Sequence, residues 1–127
     1  MRTRPSARLL VIDQQQRVLL FCFSHKDDAL DGQRYWATPG GAVEENENWK
    51  QAALRELFEE TGITRTELDD AVGYREFEMQ LPSGDWVLAQ EQYFKVHVGE
   101  QEISTSGWTT HERRVMTDFR WWNLQQL

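Results

Sequence analysis

Three glutamates, Glu56, Glu59 and Glu60, stand at i, i+3 and i+4 within residues 41–63. On a helix that spacing stacks side chains along one side, so three carboxylates would meet. No lysine follows at i+4 to relieve them, and like charges so placed cost roughly 0.2–0.5 kcal/mol per pair. The competing reading is an amphipathic helix with an acidic solvent side, and the unrelieved repulsion speaks against it. Just upstream, Gly40 and Gly41 follow Pro39, a tight turn whose backbone carbonyls can come close to the helix. Clustered carboxylates beside an exposed carbonyl form an all-oxygen donor set. Such a set suits a hard divalent cation, above all Mg²⁺ or Mn²⁺.

A helix has to hold these groups. Residues 49–61 contain neither Gly nor Pro and are rich in Ala, Leu, Glu and Gln, which favour helix. Asn48 is a suitable N-cap and Gly62 a suitable stop. Ala53, Leu54, Leu57 and Phe58 are expected on the core-facing side. Glu56, Glu59 and Glu60 are expected on the opposite side.

The whole stretch resembles the signature box of the Nudix hydrolases: Gly, five residues, Glu, seven residues, then Arg-Glu-apolar-any-Glu-Glu-any-Gly-apolar. Gly41, Glu47, Arg55, Glu56, Leu57, Glu59, Glu60, Gly62 and Ile63 fill every fixed position. Trp36 and Pro39 before Gly40 and Gly41 are similar to the usual lead-in. The resemblance implies an α/β fold, an α/β/α sandwich around a mixed sheet. It implies that Glu56, Glu59 and Glu60 bind Mg²⁺ or Mn²⁺, with the Gly40 carbonyl as a further oxygen. Arg55 would pair with Glu47 and fix the loop against the helix. Gly41 and Gly62 would be backbone devices. Glu44, at a variable position, is expected to be solvated.

The rest of the chain is consistent with one domain spanning 1–127. Residues 7–13 and 17–24 read as two strands around the turn 14–16. Their continuous apolar character predicts strands covered on both faces. Cys22, the single cysteine, lies in the second and reads as a buried thiol. Residues 25–34 read as a surface loop in which His25, Lys26 and Arg34 are candidates for substrate contact. Residues 35–39 read as a short strand, and Trp36 as a packing residue.

After the box, 72–81 alternates as a half-exposed strand. Residues 82–85 form a hairpin turn, and 86–98 the partner strand with Phe94, Val96 and Val98 inward. An unbroken register would put Glu91 on the face opposite Phe94. Residues 99–107 are expected to be a loop and 119–124 a final strand. By resemblance, an acidic residue before that strand serves as an extra ligand or general base; Glu112 is the first candidate and Glu91 the second. Arg113 and Arg114 are candidates to clamp phosphate. The helix that normally closes this fold is expected to be short or missing, since only 125–127 remain.

A formal net charge of −7 argues against a stable nucleic-acid partner, which needs a basic footprint. No apolar run is long enough for a membrane span, and no signal peptide stands at the start. A soluble cytoplasmic protein is expected. The resemblance implies hydrolysis of a nucleoside diphosphate linked to another moiety, water attacking phosphorus, with Glu56 or Glu112 as base. A homodimer is a family-level expectation. Two alternatives stand beside it: a module that senses a nucleotide without cleaving it, and an isopentenyl-type diphosphate isomerase, which would need a cysteine in the site.

Overall fold

The computed structural model describes residues 1–99, 103–123 and 125–126. The elements run β1 (Thr3–Ile12), β2 (Val18–Ser24), β3 (Arg34–Ala37), β4 (Gly40–Ala42), α1 (Trp49–Thr61), β5 (Gly73–Gln80), β6 (Trp86–His97), α2 (Thr110–Val115) and β7 (Met116–Trp122). They build a mixed seven-stranded sheet in the order β3-β2-β1-β6-β5, with β4 on β1 and β7 on β2. β1 and β6 run parallel in unbroken register from Thr3↔Leu88 to Ile12↔His97. β2 meets β1 at Ile12↔Val18. Further along β1, β4 pairs through Ser6↔Ala42, Ala7↔Gly41 and Arg8↔Gly40. That pairing sets the glycine bend beside the N-terminal half of β1.

Side-chain alternation along β1 divides the sheet into two faces. Ala7, Leu9 and Val11 are fully buried, and they meet Leu19, Phe21, Phe94, Val96 and the α1 residues Ala52, Ala53 and Leu57 in the core. Arg8, Leu10 and Ile12 point the other way and are only half-buried. The expectation of strands covered on both faces does not hold for β1, because Arg4 and Arg8 on its second face line an open cleft. The unbroken register also places Glu91 on that face, opposite Phe94, while Phe94, Val96 and Val98 are buried as expected.

α1 has the caps its sequence predicts. Asn48 accepts from the Gln51 amide in a capping box, and Gly62 closes the helix in the left-handed region with φ 78°. Its faces differ from expectation. Phe58 is 57% exposed, whereas Glu56 and Glu60 are buried with Ala52, Ala53 and Leu57. The helical repeat explains the correction. Seven residues at about 100° each bring Glu60 to within about 20° of Ala53, so it borders the apolar face rather than opposing it.

The other differences are local. The loop after β2 is not merely a surface loop, since His25 and Leu30 are buried and Gly32 and Gln33 bond back to His25 and Leu30. Residues 108–115 contain α2, capped by Thr109 with Glu112 completing a capping box. β7 begins before the expected 119–124. The end of that expected strand at Leu124, residues 100–102 of the expected loop and Leu127 lie outside the described residues. No helix follows β7 among the described residues, and none there is long and apolar enough to cross a membrane.

The burial pattern of α1 makes a direct prediction. Leu57→Ala should cost about 2–5 kcal/mol by opening a core cavity, whereas Phe58→Ala should stay within about 0.5 kcal/mol. Urea unfolding of both variants checks which side of the helix faces inward.

Candidate active site

Where α1 passes the glycine bend, three carboxylates converge. One ligand atom each from Glu56, Glu60 and Glu112 lies within 4.8 Å of the others. Glu56 and Glu60 are buried and Glu112 is half-buried. Gly40 donates its N–H to Glu60 Oε1 at 2.6 Å. A Cβ on Gly41 would lie 2.5 Å from Glu56 Oε1, so only glycine lets strand and carboxylate approach this closely. Gly40 adopts φ 141°, and a Cβ there would run into the Ala7 carbonyl.

These acids are poorly compensated. Burial pushes the Glu60 carboxyl well above the ordinary range, a shared hydrogen bond with Glu112 and the charge of Glu56 add to that, and the Gly40 amide and Arg8 only partly oppose it. Burial likewise raises Glu56, against the pull of Arg55. Close, dry, oxygen-only donors that repel one another are suited to a hard divalent cation. The donor set therefore fits the metal expected from the sequence: Glu112, expected as an extra ligand or base, joins Glu56 and Glu60 in the cluster.

Glu59 turns instead to Arg55, whose Nη1 donates to Glu59 Oε2 at 3.1 Å. Arg55 is the knot of this region. Its Nε and Nη2 fork onto Glu47 at 2.7 and 2.9 Å. Nη2 also reaches the Ala42 carbonyl at 3.0 Å, and Nη1 reaches Glu56 Oε1 at 2.9 Å. The fork holds the Glu47 carboxyl below the ordinary range. Glu44 is exposed, with its carboxylate 3.7 Å from Arg55.

Glu112 arrives from a distant part of the chain. Ser104 donates to the Thr61 carbonyl at 2.8 Å. The Trp108 indole donates to the Glu60 carbonyl at 2.8 Å and packs edge-on against Phe21. Gly107 sits against the backbone of Glu59, where a Cβ would be 2.6 Å from its oxygen. These contacts dock the loop on the end of α1 and bring Glu112 in at the start of α2.

The acids stand at one end of a cleft of about 820 Å³ across the second face of the sheet. Arg4, Arg8 and Arg75 line it, although the sequence singled out Arg34, Arg113 and Arg114. Those three are exposed and are not among the lining residues. Arg34 pairs with Ser24 in the sheet, and Arg113 donates to the Thr105 carbonyl. Arg114 and Lys26 border a separate smaller pocket. The missed signal was parity, since Arg4 and Arg8 alternate with the core residues Ala7, Leu9 and Val11. Glu91 is buried in the cleft floor, but Arg75 at 2.8 Å and the Tyr93 hydroxyl at 2.8 Å occupy its Oε1. It is not one of the three acids whose ligand atoms converge. His25 does line the cleft. Cys22 is fully buried and does not line it, so the thiol an isomerase would need is missing from the cleft wall.

The NUDIX domain family profile matches residues 2–127. An RNA pyrophosphohydrolase of Wolbachia sp. subsp. Drosophila simulans (strain wRi) is 26% identical over 132 residues, covering 98% of this chain and 76% of that protein. Among solved structures, the MutT protein from Methanosarcina mazei Go1 matches with a TM-score of 0.75 at 24% identity, covering 98% of this chain and 79% of that one. The NUDIX domain of Shewanella oneidensis NrtR, complexed with ADP ribose, matches with a TM-score of 0.68 at 19% identity, covering 98% and 75%.

The raised Glu60 carboxyl gives a stability prediction with a definite sign. Between the unfolded value near 4.5 and the higher folded one, the native state binds more protons, so stability falls as pH rises through that window. Glu60→Gln removes the penalty. In chelator at pH 8 the variant should melt at a higher temperature than the wild type, and the difference should shrink as pH is lowered toward 4.5. Thermal melts across pH test this.

Proposed function

The chain belongs to the Nudix family, and on that premise we propose that it is a metal-dependent pyrophosphohydrolase cleaving the diphosphate linkage of a nucleoside diphosphate joined to another moiety. Nucleoside triphosphates, nucleotide sugars and dinucleotides are the classes in view. The observation that carries this reading is the convergence of Glu56, Glu60 and Glu112 at the end of a cleft large enough for a nucleotide. Glu56, Glu60 and Glu112 would hold Mg²⁺ or Mn²⁺. When bound, such an ion neutralises the diphosphate oxygens and acidifies bound water.

The chain's own groups do the rest. Arg55 keeps the Glu56 carboxylate fixed against the glycine bend through its 2.9 Å bond. Glu112 is the better placed proton acceptor. Each acid has one oxygen engaged, Glu56 by Arg55 and Glu112 by the Thr109 amide, but half-buried Glu112 can pass a proton onward to solvent. Water oxygen bonds to phosphorus, the P–O bond to the leaving phosphate breaks, and the water's proton goes to Glu112. The cationic side chains of Arg4, Arg8 and Arg75 offset, within the cleft, the repulsion a chain of net charge −7 exerts on a phosphate substrate. A soluble nucleotide pool in the cytoplasm is the setting this implies.

The test is a panel of nucleoside triphosphates, nucleotide sugars, dinucleotides, ADP-ribose and a 5′-triphosphorylated RNA oligonucleotide. Products are resolved by anion-exchange chromatography after incubation with Mg²⁺, with Mn²⁺ and in chelator. At least one class should be turned over only with metal. Glu112→Gln should lower kcat by about 10²–10⁴-fold, the usual worth of a general base. No turnover of any member with either ion would refute the reading.

A further inference from the structure

A second linked set of side chains borders the cleft through His25 and Tyr35. His25 is 5% exposed. Its Nδ1 lies 3.1 Å from Asp28 Oδ2 and its Nε2 lies 3.1 Å from the Tyr35 hydroxyl. The other Asp28 oxygen accepts the Leu30 amide at 2.7 Å. The Tyr35 ring is clamped, stacked on Phe23 at 5.4 Å and on His25 at 5.7 Å. Tyr35 is nevertheless 38% exposed and lines the cleft.

We propose that the Asp28–His25–Tyr35 chain makes the Tyr35 hydroxyl a fixed hydrogen-bond acceptor in the cleft, selecting ligands that present an N–H or O–H donor from their nucleoside part. An ionised carboxylate only accepts, so the imidazole nitrogen facing Asp28 carries the proton. In the neutral ring, Nε2 then offers a lone pair, and the Tyr35 O–H donates to it. What the phenol oxygen has left for the cleft is a lone pair. The polarity of each member follows from the one behind it. Hydrogen bonds from His25 and Leu30 outweigh the effect of partial burial on Asp28 and keep its carboxyl below the ordinary range. Burial keeps the Tyr35 phenol above its ordinary value, so its proton stays available to Nε2.

The neighbours sharpen the ligand chemistry. Arg4, Arg8 and Arg75 line the same cleft and are donors only. They suit phosphate oxygens, which an acceptor oxygen repels. Tyr35 therefore complements a base N–H or a ribose hydroxyl, not the phosphates. This rests on the nucleotide reading of the cleft given above.

Paired ligands that differ by one donor separate the sources: ATP against purine riboside triphosphate, GTP against ITP, and ATP against 2′-deoxy-ATP and 3′-deoxy-ATP. Cleavage is read by kcat and KM at an alkaline pH that keeps imidazole rings neutral. Binding is read by tryptophan fluorescence titration in the Glu112→Gln background. At least one pair should favour the donor-bearing member by about 3- to 10-fold, the worth of one neutral hydrogen bond. Tyr35→Phe keeps the stacked ring and should abolish that preference, the loss falling on KM rather than kcat. Asp28→Asn is the sharper variant. The Leu30 amide requires the oxygen of the new carboxamide, so the carboxamide NH₂ faces His25 Nδ1. That turns the ring to its other tautomer and leaves the Tyr35 O–H pointing outward as a donor. A preference for a base N–H should then reverse, whereas a ribose hydroxyl, which also accepts, should keep its advantage with the bond direction switched. Equal treatment of every pair by the wild type, preferences untouched in folded Tyr35→Phe, or a base N–H preference untouched in folded Asp28→Asn, overturns the relay. Binding with Tyr35-dependent discrimination but no cleavage would instead sink the hydrolase reading and leave the relay standing.

Discussion

The guanidinium of Arg55 is the constraint on which the site depends. It ties the loop carrying Glu47 onto the second turn of α1, beyond the reach of the Asn48 capping box. A planar fork binds a carboxylate with two parallel bonds, which fixes orientation as well as distance. The same group holds Glu56 and the Ala42 carbonyl. Glu56 thus meets Gly41 at a spacing only a glycine tolerates. Without the fork, repulsion among the carboxylates would favour opening of the bend. With it, the cost of burying these carboxylates, and to a lesser degree of crowding them, remains, visible in the raised Glu56 and Glu60 carboxyls. The site is therefore unfavourable for the fold by itself, and the core between α1 and β1 must offset it.

That offset comes from ordinary packing. Ala52, Ala53 and Leu57 bury α1 against Ala7, Leu9 and Val11. Glu60 borders the same face and is carried into the interior with them. The sequence reading put all three glutamates on the face opposite Ala53, Leu54, Leu57 and Phe58, treating i, i+3 and i+4 as one side. Angular position on the helix decides burial, and it placed two acids inside.

Much of the rest was legible for local reasons. The α1 boundaries followed from Asn48 and Gly62, whose effects act within a few residues. The Arg55–Glu47 bond was implied by the family resemblance and has the geometry expected for it. What the sequence left open depends on contacts distant in the chain. Glu112 was one of two candidates, and Trp108, Ser104 and Gly107 docking on α1 are what distinguish it from Glu91. The cleft arginines were hidden because Arg8 lies inside a run read as uniformly apolar. His25 was grouped with Lys26 and Arg34 in a loop whose folding back buries one of them and leaves the others exposed.

Glu112 illustrates how little structure is needed to complete such a site. α2 has six residues, too few to be stable alone. Its start is held by the reciprocal bonds of Thr109 and Glu112 at 2.9 and 3.0 Å. One Glu112 oxygen is thus engaged by the Thr109 amide while the carboxylate also meets Glu60. Cap and triad draw on one side chain, so the cap sets the reach and angle at which the third acid enters. The loop before it is held by backbone bonds to the far end of α1, the helix that carries Glu56 and Glu60. All three carboxylates are therefore referenced to a single helix. Strain or slippage between sheet and helix moves them together rather than apart.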